Sequence, residues 1–499
     1  MDLEGDIANP RHRIEGIICG KWRTMMGMKE MGDFIKRCEE EGELLRIKKE
    51  VDWHLELGHV AKLSEERQGP ALLFENVKGH DIPVLTSAFT TTRRFAIALG
   101  MPLESSICDM ARQWMQLTTR KPVKAKLVDS GPVCETVIEG DDVDIEALPA
   151  PFFNPLDGGR FIGTAHYLVT QDKETGWTNC GTYRMQIHDR NHAGIQIIKG
   201  KHSDFHFNQH KKDGTKMPAA AVIGADAVHF LVSSTLVSAQ TDEYDIISTL
   251  RQEPCEIFKS DLTGLKLPAH AEIILEGFVD PNDLREEGPF GEYTGYYSGA
   301  KGEEWPKQVL HVQRILRRKK PIFWATTVGK PITDTHMIQS LNRTATLWTD
   351  LEAMKIPGIK SVYFLPESTG RYWCVVSVEQ KYPGHSNQVG NAVISTTTGH
   401  YGVKGVIVVD HDIPADDWPR VMWALAVRFD PKRDAQIIDR GRSTPLDPAL
   451  PITARHITSR IIMDACTPYE WERKPIEIFL DEEMKKKVLS QWKEYGFTD

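Results

Sequence analysis

The sequence lacks most of the short signatures by which common enzyme classes are read. It has no G-x-x-x-x-G-K-[ST] phosphate loop, no G-x-S-x-G elbow, no H-E-x-x-H pair and no glycine-rich dinucleotide fingerprint after a strand. Nucleotide hydrolysis, serine hydrolysis, zinc proteolysis and nicotinamide binding all lose weight. No apolar run approaches the roughly 20 residues that a membrane helix needs. The start, Met1-Asp2-Leu3-Glu4-Gly5-Asp6, is acidic where a secretory signal is basic. There is no basic surplus: Lys and Arg total 61 against 70 Asp and Glu, a net charge of −9, which points away from nucleic acid. The eight cysteines are scattered without a C-x-x-C pair, so neither a zinc ribbon nor a thioredoxin motif is expected. Free thiols in a reducing cytoplasm are the simplest expectation.

What is present suits a globular enzyme. The chain has 499 residues, 40% hydrophobic and 26% charged, enough for a sizeable core in about three domains. Residues 1–28 show no sustained period and read as a leader. Residues 29–126 read as a small α+β unit, with a helix over 31–41, strands at 44–47 and 71–74, and a helix over 105–114 capped by Ser105. Over 127–320 short apolar runs (133–138, 163–169, 195–198) alternate with Gly, Pro, Asp and Asn clusters. That spacing predicts antiparallel strands in a barrel or sandwich, interrupted by helices near 204–210 and 245–250. Residues 321–475 alternate strands (322–327, 362–364, 373–378, 406–409) with helices (344–353, 417–427), the pattern of an α/β domain. Residues 476–499 hold an amphipathic helix over 481–495, with Met484, Val488, Leu489, Trp492 and Tyr495 on one face. That face suits packing within the chain or the groove of a partner subunit.

Four segments carry candidate chemistry. Glu287-Gly288-Pro289-Phe290-Gly291-Glu292 sets two carboxylates on either side of a turn that cannot continue a helix, so both side chains can enter one cavity and divide acid and base work. On spacing alone, a solvated acidic loop would look the same. Trp177-Thr178-Asn179-Cys180-Gly181-Thr182-Tyr183-Arg184 offers small residues for close backbone approach and an Arg for an anion. Gly200-Lys201-His202 brings a lone His. Ser233-Ser234 and Thr241-Asp242-Glu243-Tyr244 offer hydroxyls for phosphate and a carboxylate for a hard cation. Asn179, His202 and Glu243 together would suit Mn²⁺ or Mg²⁺, but their separations match no short metal motif.

These pieces, in this order, resemble the UbiD-type decarboxylases, which depend on prenylated FMN. The resemblance runs from about Met31 to the C-terminus. It rests on Glu276-Gly277 leading to Glu287–Tyr297, on Lys381-Tyr382-Pro383-Gly384-His385, on residues 406–412, and on Trp423-Ala424 through Arg428-Phe429-Asp430-Pro431 to Arg433-Asp434. It implies a central split β-barrel that binds the flavin and a C-terminal α/β oligomerisation domain. It also implies Mn²⁺ on Asn179, His202 and Glu243, bridging to the flavin phosphate, with K⁺ beside it near Trp177 and Ser234. Cofactor contacts would run along Asn179, Cys180, Gly181, Thr182, Tyr183 and Arg184, joined by Lys201, His202, Ser233, Ser234, Glu243 and Lys404. The catalytic trio would be Arg184, Glu287 and Glu292. The implied activity is reversible, non-oxidative decarboxylation of an aromatic, heteroaromatic or α,β-unsaturated acid with exchange of CO₂. A separate flavin prenyltransferase would supply the cofactor, and the assembly would be a homodimer, although hexamers also occur in the family. Cinnamate-type members carry Gln before the metal His; Lys201 here favours a hydroxybenzoate-type substrate. An FMN-dependent oxidoreductase and a subunit of a multicomponent aryl carboxylase are the alternatives from other classes.

Overall fold

The computed structural model of the chain describes residues 28–118, 121–162, 164–235, 237–299 and 306–497. All but the last residue of the expected leader lies outside them. The N-terminal part forms where apolar spacing and stop signals coincide. A helix over Met31–Glu40 buries Phe34, Ile35 and Cys38 and ends before Gly42, whose φ of 72° suits a residue without Cβ. Strands Leu44–Ile47 and Ala71–Phe74 pair in parallel, and Val84–Thr86 adds antiparallel to the second. The following helix runs Ile107–Thr118 and is capped by Ser106 rather than Ser105. Ser106 Oγ accepts from the Asp109 amide at 3.3 Å while Asp109 Oδ2 accepts from the Ser106 amide at 3.1 Å. The apolar run read as a strand at 322–327 yields only Phe323–Trp324, which joins this N-terminal sheet beside Val84–Thr86. Trp324 is buried there against Phe34, Phe89 and Phe230, which unites the N-terminal and central cores.

The central part is antiparallel, as the spacing predicts, with three shifts, of which the first turns the run at 163–169 into the strand His166–Gln171. The run at 133–138 splits into a 3₁₀ turn over Pro132–Glu135 and a strand over Thr136–Glu139. The strand expected at 195–198 is instead His192–Ile195, because the Ile-rich pattern continues past the last ladder bond. An eight-stranded sheet results. Its path runs from Thr178–Gly181 through His166–Gln171, Met217–Ile223, Ile273–Glu286, Pro306–Arg317 and His192–Ile195 to Met185–Asp189, with Thr136–Glu139 paired off the path. The two ends of this path are joined by residues 182–184 alone. Seven flat strands would hold their edges about 29 Å apart, whereas the link from Gly181 to Met185 spans at most about 14 Å. The sheet therefore curls until its edges stand close, and Arg184 occupies the gap. Among the described residues the two edge strands do not pair, so the sheet is not a closed barrel.

The last part is the expected α/β arrangement. Trp373–Val378, Gly405–Asp410 and Ile457–Ala465 run parallel, with Ile359–Phe364 and Ala435–Arg442 antiparallel at the edges. Helix Asp334–Ala353 starts well before the predicted 344 and reaches toward the central part. The final helix is shorter than expected, Glu482–Ser490, followed by a turn at Trp492–Tyr495 that ends with Trp492 stacked on Phe497. None of the residues of Glu482–Ser490 is buried, and Ile476, Ile478, Phe479 and Leu480 just before it are exposed, so among the described residues the chain covers little of that apolar face. Among the described residues no helix is long and apolar enough to cross a membrane.

Candidate active site

Arg184 is aimed by the gap in the curled sheet, and both carboxylates come to it from the turn after Ile273–Glu286. Its Nε donates to Glu287 Oε1 and Oε2, each at 3.0 Å, and its Nη1 donates to Glu292 Oε1 and, at 2.9 Å, to Ser298 Oγ. Ser298 Oγ in turn donates to Glu292 Oε1 at 2.8 Å. The guanidinium lies 4.9 Å from the centre of the Phe290 ring. All three charged side chains are nearly removed from water: 8% exposed for Arg184, 2% for Glu287 and 8% for Glu292. Burial disfavours the Arg184 charge, but Glu292 and Glu287 more than offset it, and its pKa is raised.

A second loop holds the glutamate turn in place. The Gly158 amide donates to Pro289 O at 2.6 Å, the Gly291 amide to Asp157 Oδ1 at 2.9 Å, and the Gly288 amide to Gln186 Oε1 at 2.9 Å. Gly158 and Gly288 touch backbone to backbone; a Cβ on Gly158 would stand 2.2 Å from Gly288 Cα.

The other expected residues form a neighbouring cluster. Asn179 sits on the edge strand, His202 begins the helix His202–Lys212, and Glu243 begins Glu243–Arg251. Asn179 Oδ1 and His202 Nδ1 are 3.2 Å apart, and the Trp177 and His202 rings meet at 4.8 Å. Trp177 is tied to the third segment through Nε1 donating to Thr241 O at 2.8 Å. Glu243 is buried beside Cys180, and its Oε2 has no hydrogen-bond partner. Burial pushes its carboxyl up to about 8, against hydrogen bonds from the Glu243 and Cys180 amides. A buried carboxyl with an orphaned oxygen, beside Cys180 on the strand that also carries Asn179, offers donor chemistry for a hard cation. Two helix N-termini converging there also suit phosphate. Ser233 ends the helix Ala227–Ser233, Ser234 caps it, and the Thr182 amide donates to Ser233 O at 3.2 Å. Gly181 packs under the Tyr183 ring, whose hydroxyl accepts from the Ser203 amide at 3.4 Å. A cavity of about 490 Å³ opens on this side, lined by Trp177, Lys201, His202 and Gln240; Arg184, Glu287 and Glu292 do not line it.

Lys404 is engaged differently. Its Nζ pairs with Asp447 at 2.6 Å and lies 4.9 Å from the centre of the Tyr372 ring. Lys201 remains accessible within a concave surface yet is closely surrounded. Burial, then repulsion from Arg371, Arg343 and Arg442, lowers it to about 8. Sequence reasoning missed those three arginines. Arg343 had a signal, since it interrupts the inward face of a helix between Leu341 and Ala345; the other two had none.

Lys307 was also missed. It is 5% exposed on the strand Pro306–Arg317, where burial lowers it to about 8 while Glu287 pulls upward and Arg184 pushes downward. The unfolded chain holds more protons than the folded one between that value and about 10.4, so stability from this group rises with pH across the window. Relative to Lys307→Met, the wild type should gain thermal stability between pH 7.5 and 9.5; an unchanged or reversed difference in melting temperature would contradict the assignment.

Family models match three consecutive stretches: the 3-octaprenyl-4-hydroxybenzoate carboxy-lyase N-terminal domain over residues 35–114, its Rift-related domain over 126–331 and its C-terminal domain over 336–465. Solved structures agree. The vanillic acid decarboxylase of Sedimentibacter hydroxybenzoicus is 29% identical in its open form (TM-score 0.84) and 30% in its closed form (TM-score 0.82), each covering 93% of this chain and 99% of that one. An evolved dimeric form of the UbiD-class enzyme HmfF from Pelotomaculum thermopropionicum, in complex with prFMN, is 28% identical over 91% of this chain and 99% of that one, with a TM-score of 0.78. Fold and family together define a carboxy-lyase. The chain belongs to the UbiD family.

Proposed function

We propose that the chain is a reversible, non-oxidative decarboxylase of a hydroxybenzoate-type aromatic acid that works with prenylated FMN, Mn²⁺ and K⁺. The observation that carries this reading is the buried trio of Arg184, Glu287 and Glu292. The curled, unclosed sheet is the split barrel of the flavin site in this reading. Asn179, His202 and Glu243 would hold the divalent ion, with Trp177 and Ser234 near the monovalent one. Cys180, Gly181, Thr182, Tyr183 and Ser233 would follow the cofactor's edge, and the cationic surround of Lys201 favours its phosphate. Lys404 would join that surround once Asp447 releases it. When bound, the prenylated flavin supplies an electron sink for the carbon that loses CO₂, which no side chain can provide.

The chain's own residues then divide the remaining work. Arg184 orients the substrate carboxylate and keeps the acids in register. Glu287, gripped through both oxygens, fixes the Arg184 plane. Glu292 is bonded twice at Oε1, so Oε2 is the atom we assign to carry the proton that replaces CO₂. The exposed apolar strip at 476–480 and the bare helix after it favour a homodimer, and the sedimentation coefficient of the holoenzyme reads that out.

The test is co-expression with a flavin prenyltransferase in Mn²⁺ and K⁺, followed by mass spectrometry of the released flavin and a panel of hydroxybenzoic acids scored by CO₂ release without reductant. Prenylated flavin near one per chain with CO₂ release is expected. Plain FMN together with reductant-dependent turnover would overturn the reading.

A further inference from the structure

Away from the trio, a group of side chains on the central sheet has the makings of a second metal site. His192 and His311 are register partners on adjacent antiparallel strands, with ring centres 4.4 Å apart at 76°. The neighbouring strand Ile273–Glu286 reaches them through a large bulge. Its register passes from Val279 opposite Leu310 to Leu284 opposite Gln308, so residues 280–283 have no ladder partner. Bulges re-aim side chains, and this one turns Asp283 onto His311, Oδ2 to Nε2 at 2.7 Å. One potential ligand atom from each of His192, Asp283 and His311 lies within 4.8 Å of the other two.

We propose that His192, Asp283 and His311 form a site for a divalent transition metal of the zinc type, with solvent completing the coordination. Two imidazoles and a carboxylate are a recurrent donor set for such ions. The surroundings are equally suited. Asp189 Oδ1 accepts from His192 Nδ1 at 2.6 Å, which fixes the tautomer and leaves Nε2 as the donor to the ion, the carboxylate–histidine–metal arrangement. Arg285 steadies both carboxylates: Nη1 donates to Asp189 Oδ2 at 2.9 Å, and Nε and Nη2 lie 3.4 Å from Asp283 Oδ1 and Oδ2. Ligand atoms about 2.1 Å from a tetrahedral ion stand about 3.4 Å apart, so the Asp283–His311 pair, now at 2.7 Å, has about 0.7 Å to open. The side chains are 20%, 26% and 28% exposed, open enough for an ion to enter from solvent. Asp283 lies four residues ahead of Glu287 on the same chain segment, so an ion here ties the approach to the glutamate turn to two neighbouring strands. The site owes nothing to the assignment of Asn179, His202 and Glu243.

The experiment is zinc uptake by chelator-treated protein, measured by equilibrium dialysis and elemental analysis. Wild type should take up one more zinc per chain than His311→Ala, and Glu243→Gln should keep that zinc. Asp189→Asn should weaken it about 10- to 100-fold while leaving the stoichiometry intact. Cobalt supplies a second readout on Glu243→Gln, with no ligand of the proposed site altered: X-ray absorption should show two imidazoles on the ion. Equal uptake by wild type and folded His311→Ala, or cobalt without imidazole ligation in Glu243→Gln, would overturn the proposal.

Discussion

Glu292→Gln should fold with a melting temperature lowered by the loss of one charge partner of the buried Arg184, hold its flavin and lose turnover by about 100- to 10,000-fold, the range for removal of a general acid. The substitution is nearly isosteric. A Gln carbonyl oxygen can still accept from Arg184 Nη1 and from Ser298 Oγ, the two bonds that now hold Glu292 Oε1. It has no ionisable proton to give. The loss should therefore fall on kcat with little change in KM, since Arg184, proposed to orient the substrate carboxylate, stays in place. Exchange of solvent deuterium into the product position should fall in parallel. If turnover persisted with flavin bound, the proton would have to come from elsewhere, and the roles given to the trio would fail.

Gly158→Ala should cut kcat about 100-fold without touching a reacting group. The new Cβ would stand 2.2 Å from Gly288 Cα and 2.9 Å from Pro289 N, against backbone that cannot swing aside like a flexible side chain. Relieving such overlap costs about 1 to 3 kcal/mol, and the relief must part the two loops that the Gly158–Pro289 hydrogen bond holds together. Glu287 and Glu292 sit on the displaced loop. A misplacement of about 1 Å is enough for a 100-fold loss. Flavin occupancy measured alongside separates this from unfolding. Gly32→Ala is the matched control: it lies in the helix Met31–Glu40, where a Cβ meets only Glu30 Oε1 at 3.6 Å, and it should be neutral or slightly stabilising. Full activity in Gly158→Ala would show that the glycine contact does not set the glutamate geometry.

Legibility in the sequence followed the range of the interactions. Trp373–Val378 is found at its true ends because a buried parallel strand is a short β-branched run bounded by turns. The strand ending at Ile195 is misplaced because Ile197 and Ile198 extend the apolar pattern after the chain has left the sheet. The N-terminal half of Asp334–Ala353 is missed because His336, Ser340, Asn342 and Arg343 are buried polar residues that erase the expected apolar face. Within the candidate site, Glu287 and Glu292 stand out on either side of their turn and Arg184 as a partner for an anion, but only the family motifs join the three. Ser298, Asp157 and Gly158 are invisible for a physical reason. Each acts by touching a residue that the fold, not the local pattern, delivers, as when Asp157 bonds to Gly291 across 134 positions.

The link at residues 182–184 has a further consequence for how the molecule reaches this state. Two strands separated by three residues are the natural ingredients of a hairpin, the cheapest and fastest β pairing a chain can make. Here Thr178–Gly181 pairs with His166–Gln171, and Met185–Asp189 with His192–Ile195. Each strand pairs instead with its other neighbour in sequence, across residues 172–177 and 190–191, so two local hairpins form and residues 182–184 join them. The seam that results stays open in the finished fold, and Arg184 stands in it. The candidate trio thus takes its arginine from the junction of two hairpins, and it is complete only when the strands that lie between those hairpins in the sheet have paired.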